Sequence, residues 1–296
     1  MSPALRERLV AVAVRVAGVS TIAFILVIFF FLIQQGLPAL VEVPLSDLLA
    51  RRWYPIEGVF GLLPLVLGSL LVTLGATVIA VPLGLLTAVY IAEVAPRPVR
   101  EVLKPFIEVL AGLPSVMLGF LGIVALAPEL YHRLNLSTGL TAFTGALLLG
   151  WIAIPTIVSV AEDALDAVPR AYRDGALALG ANHWQTIWRV TLPAARGGVL
   201  TAVMLGIGRA FGETMAVMMV TGNAAVMPLG LGSLFQPVRT MTATIAAEMG
   251  EVAGGSLHYH VLFLVGILLF LISLAVNLVG ASVVFRARTR AERILS

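Results

Sequence analysis

The chain has 296 residues, 59% hydrophobic and only 12% charged, with a mean hydropathy of +1.02, whereas soluble domains carry about a quarter charged residues. It reads as an integral membrane protein surrounded by lipid. Its net charge of +3 follows a membrane topology and not a nucleic-acid surface, and the absence of cysteine excludes disulfides and thiolate chemistry.

Six continuously apolar runs lie near residues 10–33, 62–91, 106–127, 138–160, 199–220 and 261–285. Each is long enough to cross a hydrocarbon core of about 30 Å as a helix. Spanning strands would alternate apolar and polar residues, so the predicted class is all-α with six transmembrane helices. With the amino terminus taken as cytoplasmic, the inner segments carry Arg6, Arg8, Arg97, Arg100, Lys104, Arg170, Arg173, Arg189, Arg196, Arg286, Arg288, Arg290 and Arg293, and the outer ones only Arg51, Arg52, Arg133 and Arg239. That bias predicts cytoplasmic termini on both sides of the chain. Arg15, near the inner end of the first helix, snorkels. The first run follows basic residues as a signal peptide would, yet it is too long and lacks a small-x-small cleavage pattern after Ile33, so it is expected to be retained.

Residues 34–61 form an outer loop with Pro38, Pro44 and Pro55, in which Trp53 and Tyr54 suit an interfacial anchor. Gly68, Gly75, Pro82 and Gly84 give the second helix small or bending positions for close packing. The third run carries Glu108 one turn in, either a carboxylate favoured by the helix dipole or a functional charge. Its Pro114-Ser115 marks either a packed kink or a broken helix lining a pathway. The fourth run ends in the polar stretch E-D-A-L-D-A-V-P-R-A-Y-R-D-G-A-L-A-L-G from Glu162.

Residues 162–198 are predicted to form a soluble-looking element spliced between spans. Pro169 starts a helix, Gly180 ends it in a left-handed turn, and Asn182 with Gln185 caps a second short helix before Pro193 opens the fifth span. Leu177, Leu179, Trp184, Ile187 and Trp188 give it apolar surface. A lipid-lying helix would show a strongly basic face, but Glu162, Asp163, Asp166 and Asp174 nearly cancel the arginines, which favours docking to a cytoplasmic protein. After Val220 an apolar loop of about 40 residues, with a small helix predicted over 240–249, reads as a lid or a landing site for an external protein. One domain, 1–296 with its core at 62–285, accounts for the chain.

Enzyme chemistry finds little support. None of His132, His183, His258 and His260 stands in H-E-x-x-H, and Gly254-Gly255-Ser256 lacks the closing glycine of a nucleophile elbow. No metal or catalytic residue is assigned. The single lysine, Lys104, is not part of a G-x-x-x-x-G-K phosphate loop, so any ATP is hydrolysed on another chain.

Asp174-Gly175-Ala176, Gly180 and, nine residues on, Val190-Thr191-Leu192-Pro193 resemble the E-A-A-x3-G-x9-I-x-L-P loop of ABC importer permeases, with Asp for Glu, Gly for Ala and Val for Ile. Three longer stretches, I-E-V-L-A-G-L-P-S-V (107–116), G-R-A-F-G-E-T-M-A-V-M-M-V-T-G-N (208–223) and P-V-R-T-M-T-A-T-I-A-A-E-M-G-E (237–251), are similar to the phosphate-specific transport (Pst) permeases, in the form of their PstC-type subunit. The resemblance implies a type I importer permease that carries inorganic phosphate. It also implies a PstA-type permease partner, two ATPase subunits that bind ATP and Mg, an external phosphate-binding protein, and no cofactor on this chain. Asp174, Gly175, Ala176, Gly180, Leu192 and Pro193 become the ATPase-coupling residues, and Thr240, Glu248 and Glu251 the candidate contacts of the binding protein. The rivals are a permease for molybdate or sulfate and, from another class, an ion-coupled carrier, which would need no ATPase-docking element.

Arg209 and Glu213 stand four residues apart, a spacing that places them on one helix face as a pair. An ion pair within the membrane faces a protein interior or a wet cavity. It either pins helix packing or offers guanidinium donors to an anion. Ser115 and Thr214 join them as candidate substrate-pathway residues.

Overall fold

The computed structural model describes the backbone of residues 3–295 and the side chains of residues 7–282 other than residue 231. Arg6, Arg286, Arg288, Arg290 and Arg293, counted above for topology, lie outside the described side chains. Among the described residues six helices are long and apolar enough to cross a membrane, as the hydropathy predicted.

Helix α1 (Pro3–Glu42) packs along the last span through a stacked pair, Phe29 on Phe270 at 4.7 Å, and an edge contact of Phe31 with Phe263. A two-stranded hairpin, β1 (Trp53–Tyr54) and β2 (Val59–Phe60), follows. Trp53 does not stand open as an interfacial anchor: it is buried beside Phe60, and its indole N–H finds a half-buried carboxylate described below.

The framework is α2 (Leu63–Val94) against α5 (Ala142–Asp166). Small residues let the two backbones approach, since a Cβ on Gly84 would lie 2.8 Å from Ile157 and one on Gly75 2.8 Å from Ala146. In a lipid environment such close packing replaces the hydrophobic drive between helices. Thr141 caps α5, its hydroxyl accepting from the Thr144 amide at 3.2 Å. The end of α2 widens into a π turn over Tyr90–Val94.

Two spans differ from the expectation. The third apolar run is not one helix. Helix α3 (Arg97–Ala111) ends before Gly112, and α4 (Ser115–Leu134) begins after Pro114. Proline disfavours helix at the residue before it. Glu108 lies exposed on α3, ahead of the apolar span that begins at Ser115, and not one turn inside it. Helix α6 (Arg170–Ala178) and the turn after it lead to α7 (His183–Gly212), which stops short of the predicted Val220. A separate α8 (Met215–Val220) completes the crossing. Helix α9 (Met241–Glu248) and α10 (Leu257–Leu295) end the fold. Apolar side chains collect in three clusters: a central one between α2, α5 and α8, one at the hairpin end, and one at the end carrying α3 and α6.

Candidate substrate pathway and coupling surfaces

The two helix interruptions meet. The Arg209 guanidinium, exposed on the last turn of α7, donates to the carbonyl of Ala111 at 3.3 Å, the final residue of α3. Just beyond, α4 and α8 pack so closely that a Cβ on Gly119 would stand 3.0 Å from the Ala216 backbone. Ser115 opens α4 and is half-buried, as are Glu213 and Thr214.

Arg209 and Glu213 do not form the predicted pair. Glu213 leaves the helix with ψ 130°, and its carboxylate turns forward to accept from the amides of Thr214 at 3.1 Å and Ala216 at 3.4 Å. It thus caps α8, a place where a carboxylate satisfies unpaired N–H groups. The four-residue spacing implied contact only if the helix ran on, and it does not. The Thr214 hydroxyl donates to the Gly212 carbonyl, and the Glu213 carbonyl accepts from Thr242 of α9 at 3.2 Å.

At the α6 end the local predictions hold. Gly180 has φ 83°. The Gly180 amide donates to Leu177 and the Ala181 amide to Ala176, the paired bonds of a Schellman cap. Asn182 and Gln185 form the reciprocal capping box. Asp174 and Gly175 face solvent and Ala176 is buried. Leu179 is 91% exposed, with Tyr172, Leu177, Trp184 and Trp188 also open. Pro193 does not open a helix from a loop: α7 already runs from His183, and a π turn over Ile187–Thr191 ends at Leu192, just ahead of the ring.

Sequence reasoning missed what fixes this end. Arg173 of α6 donates to Glu93 at 2.6 Å and to the carbonyls of Val168 and Leu165 at 2.7 and 2.9 Å. Glu162, 2% exposed, accepts from Arg100 at 2.6 Å and Lys104 at 2.8 Å, both on α3. Asp166 also pairs with Arg100, and Asp163 with Lys104. The Asp166 and Glu162 bonds raise the Arg100 pKa above its ordinary value, and the Glu162 bond does the same for Lys104, outweighing partial burial in both. Three of the four acidic residues counted against a basic lipid-facing surface, Glu162, Asp163 and Asp166, are therefore partners of α3, while Asp174 faces solvent.

At the hairpin end the docking expectation needs correction. Thr240 is buried as the cap of α9. Glu248 is a hub: it accepts from Trp53 at 3.1 Å, from His258 at 2.9 Å and from Arg239. A carboxylate with three partners drawn from separate segments ties the hairpin, α9 and α10 together, so Glu248 is largely taken up by internal partners, while Thr240 is buried. Glu251 alone of the three is exposed. The clue in the sequence was Arg239 amid an apolar loop, a charge that needs a partner.

A family model described as "Binding-protein-dependent transport system inner membrane component" matches residues 80–289. The chain is 39% identical over 232 residues to a "Probable ABC transporter permease protein YqgH" of Bacillus subtilis, covering 78% of this chain and 74% of that one. It is 34% identical over 264 residues to the "Phosphate transport system permease protein PstC" of Mesorhizobium japonicum, covering 83% and 80%. Among solved structures, a bacterial alginate ABC transporter chain aligns with TM-score 0.62 at 14% identity over 98% of this chain and 97% of that one. A MetNI methionine transporter chain aligns with TM-score 0.56 at 19% identity over 77% and 94%; at these identities the likeness concerns the fold, which is that of type I ABC importer permeases. The chain belongs to the binding-protein-dependent transport system inner membrane components, the multi-pass permease subunits of ABC transporters.

Proposed function

We propose that this chain is the permease subunit through which an ABC importer carries inorganic phosphate inward. The observation that carries the reading is Arg209. It is an exposed guanidinium at the meeting of two interrupted helices, with one of its five donors used by Ala111. Forked donors suit phosphate oxygens, and interrupted helices at a pathway expose backbone polar groups to the cargo. Relatives named for phosphate transport support the same cargo. Ser115 and Thr214 add hydroxyls beside the two breaks, while Glu213 holds α8 in place and is no counter-ion to the arginine.

A PstA-type permease would supply the other half of the pathway. Two ATPase subunits, holding ATP and Mg, would dock against α6 and its exposed Leu177, Leu179 and Trp184. A phosphate-binding protein would approach the hairpin end, with Glu251 as the remaining contact. In this arrangement the basic end of α3 and α6 is cytoplasmic, in keeping with the charge bias.

The test is uptake into vesicles holding the whole complex. Phosphate entry is expected to require ATP and the binding protein and to resist a large excess of sulfate or molybdate. Equal suppression by sulfate would sink the phosphate assignment and leave a general oxyanion permease.

A further inference from the structure

We infer that Glu162 is a positioning residue for transport: by clamping α3 to the end of α5 it makes α6, the last turn of α5 and α3 one rigid body, so that a displacement of α6 arrives at Ala111 and Arg209. This rests on the reading of α6 as the element an ATPase moves. It adds the route from that element to the pathway.

Three observations converge. First, no residue of α3 is buried. Its outer face, with Val102, Phe106 and Val109, is exposed, and only Leu103 and Ile107 lean on the apolar cluster beneath. Apolar packing therefore holds α3 weakly, and its position depends on the Arg100 and Lys104 bonds to Glu162, Asp163 and Asp166. Of these acceptors only Glu162 is buried and shared by both cations. A buried ion pair adds little net stability but strongly penalises geometries that leave the charge unpaired, so it fixes position more than it stabilises.

Second, the same turn of α5 receives the coupling element. Arg173 grips the carbonyls of Leu165 and Val168 while its guanidinium also holds Glu93 at the end of α2. Residues 162–168 are thus gripped from both sides, by α6 and by α3. Third, the other end of α3 is where the pathway begins. A helix of 15 residues is a rod of roughly 22 Å, and its last carbonyl is the one Arg209 holds. A rod fixed at its charged end carries motion to its tip; a loose one does not.

The native sequence contains no cysteine, so paired spin labels need no background removed. With Val102→Cys on α3 and Ala171→Cys on α6, both exposed, the label distance in the assembled complex is expected to stay constant between the nucleotide-free and the ATP-trapped state. In Glu162→Gln the distance distribution is expected to broaden or shift between those states. The phosphate carried per ATP hydrolysed should fall about fivefold or more, while Glu162→Asp recovers part of it. A purely structural role would lower uptake and hydrolysis together and leave their ratio unchanged. A distance that changes between states in the parent, or a Glu162→Gln complex with the parental ratio, overturns the inference; the parent measurement stands even if that variant does not assemble. Failure of the parent to carry phosphate at all would count against the cargo and leave the label distance to be judged on its own.

Discussion

Helices α2 and α5 and the interrupted pair α4 and α8 are written in the same apolar alphabet, yet they are built for opposite purposes. In the first pair glycines sit where the facing chain leaves no room, Gly84 against Ile157 of α5, and Gly68 of α2 is as tight against the segment before α9, where a Cβ would lie 2.3 Å from the Arg239 carbonyl oxygen. In the second pair Gly119 is as tight, but the glycines at the breaks differ: a Cβ at Gly212 would have nothing within 4 Å, and one at Gly112 would meet only carbonyl oxygens of its own helix, at 3.5 Å and 3.8 Å. Tight glycines hold a framework together. Open glycines next to a proline or a capping carboxylate mark where the chain leaves the helix and presents polar groups. The contrast separates what must stay still from what meets the cargo.

The sharpest way to sharpen that contrast is Arg209→Gln. Glu213 is occupied with the amides of α8, so the substitution strands no buried charge and the protein is expected to fold. Hydrogen bonds to a charged group are worth about 1.5–3 kcal/mol, so phosphate uptake should drop about 10- to 100-fold, measured as initial rate in vesicles. Uptake near the parental rate would remove Arg209 from the pathway.

A second comparison sets Gly68→Val against Gly212→Ala. The first drives a side chain into backbone and should cost about 1–3 kcal/mol of stability, read as a lowered midpoint of thermal unfolding in detergent. The second meets nothing and favours continued helix, so the midpoint should hold or rise slightly while uptake slows, because the break is harder to keep. Equal loss of stability in both would erase the distinction between framework and pathway.

The smallest effect belongs to Gly180→Leu. Open space surrounds the position, but a left-handed residue with a side chain costs about 1–2 kcal/mol locally. The spans should insert and unfold as before, and co-purification with the ATPase should weaken along with uptake. Normal uptake at normal expression would sink the docking role of that turn.

What could be read from the sequence was local. The six apolar runs, the left-handed Gly180 turn and the Asn182–Gln185 box each depend on residues a few positions apart, and short-range pattern specifies them. The interruptions were only half legible. Pro114 announced one break; at the other the local sign was Gly212 alone, and the contacts there are distant, the Glu213 carbonyl accepting from Thr242 of α9, 29 residues away. The two carboxylate hubs were beyond reach for the same reason. Glu162 meets cations 62 and 58 residues earlier, and Glu248 meets an indole 195 residues earlier. An expectation drawn from exposure in a loop therefore sent Thr240 and Glu248 outward when tertiary partners had drawn them in.

Three of the spans carry a π turn, over Tyr90–Val94, Gly122–Leu126 and Ile187–Thr191. Such a turn holds one residue more than the regular repeat, and one residue is about 100° of rotation around the axis. Where helix continues on both sides of the turn, in α4 and α7, the helix is therefore two segments set out of phase, and the phase decides which side chains look at which neighbour. In α7 the segment beginning at His183 keeps Ile187 inward, while the segment after Leu192 keeps Gly206 against Ile157 and turns Arg209 outward. The surplus residue near Trp188 works as an angular offset, written into the chain once and inherited by everything downstream as far as the arginine.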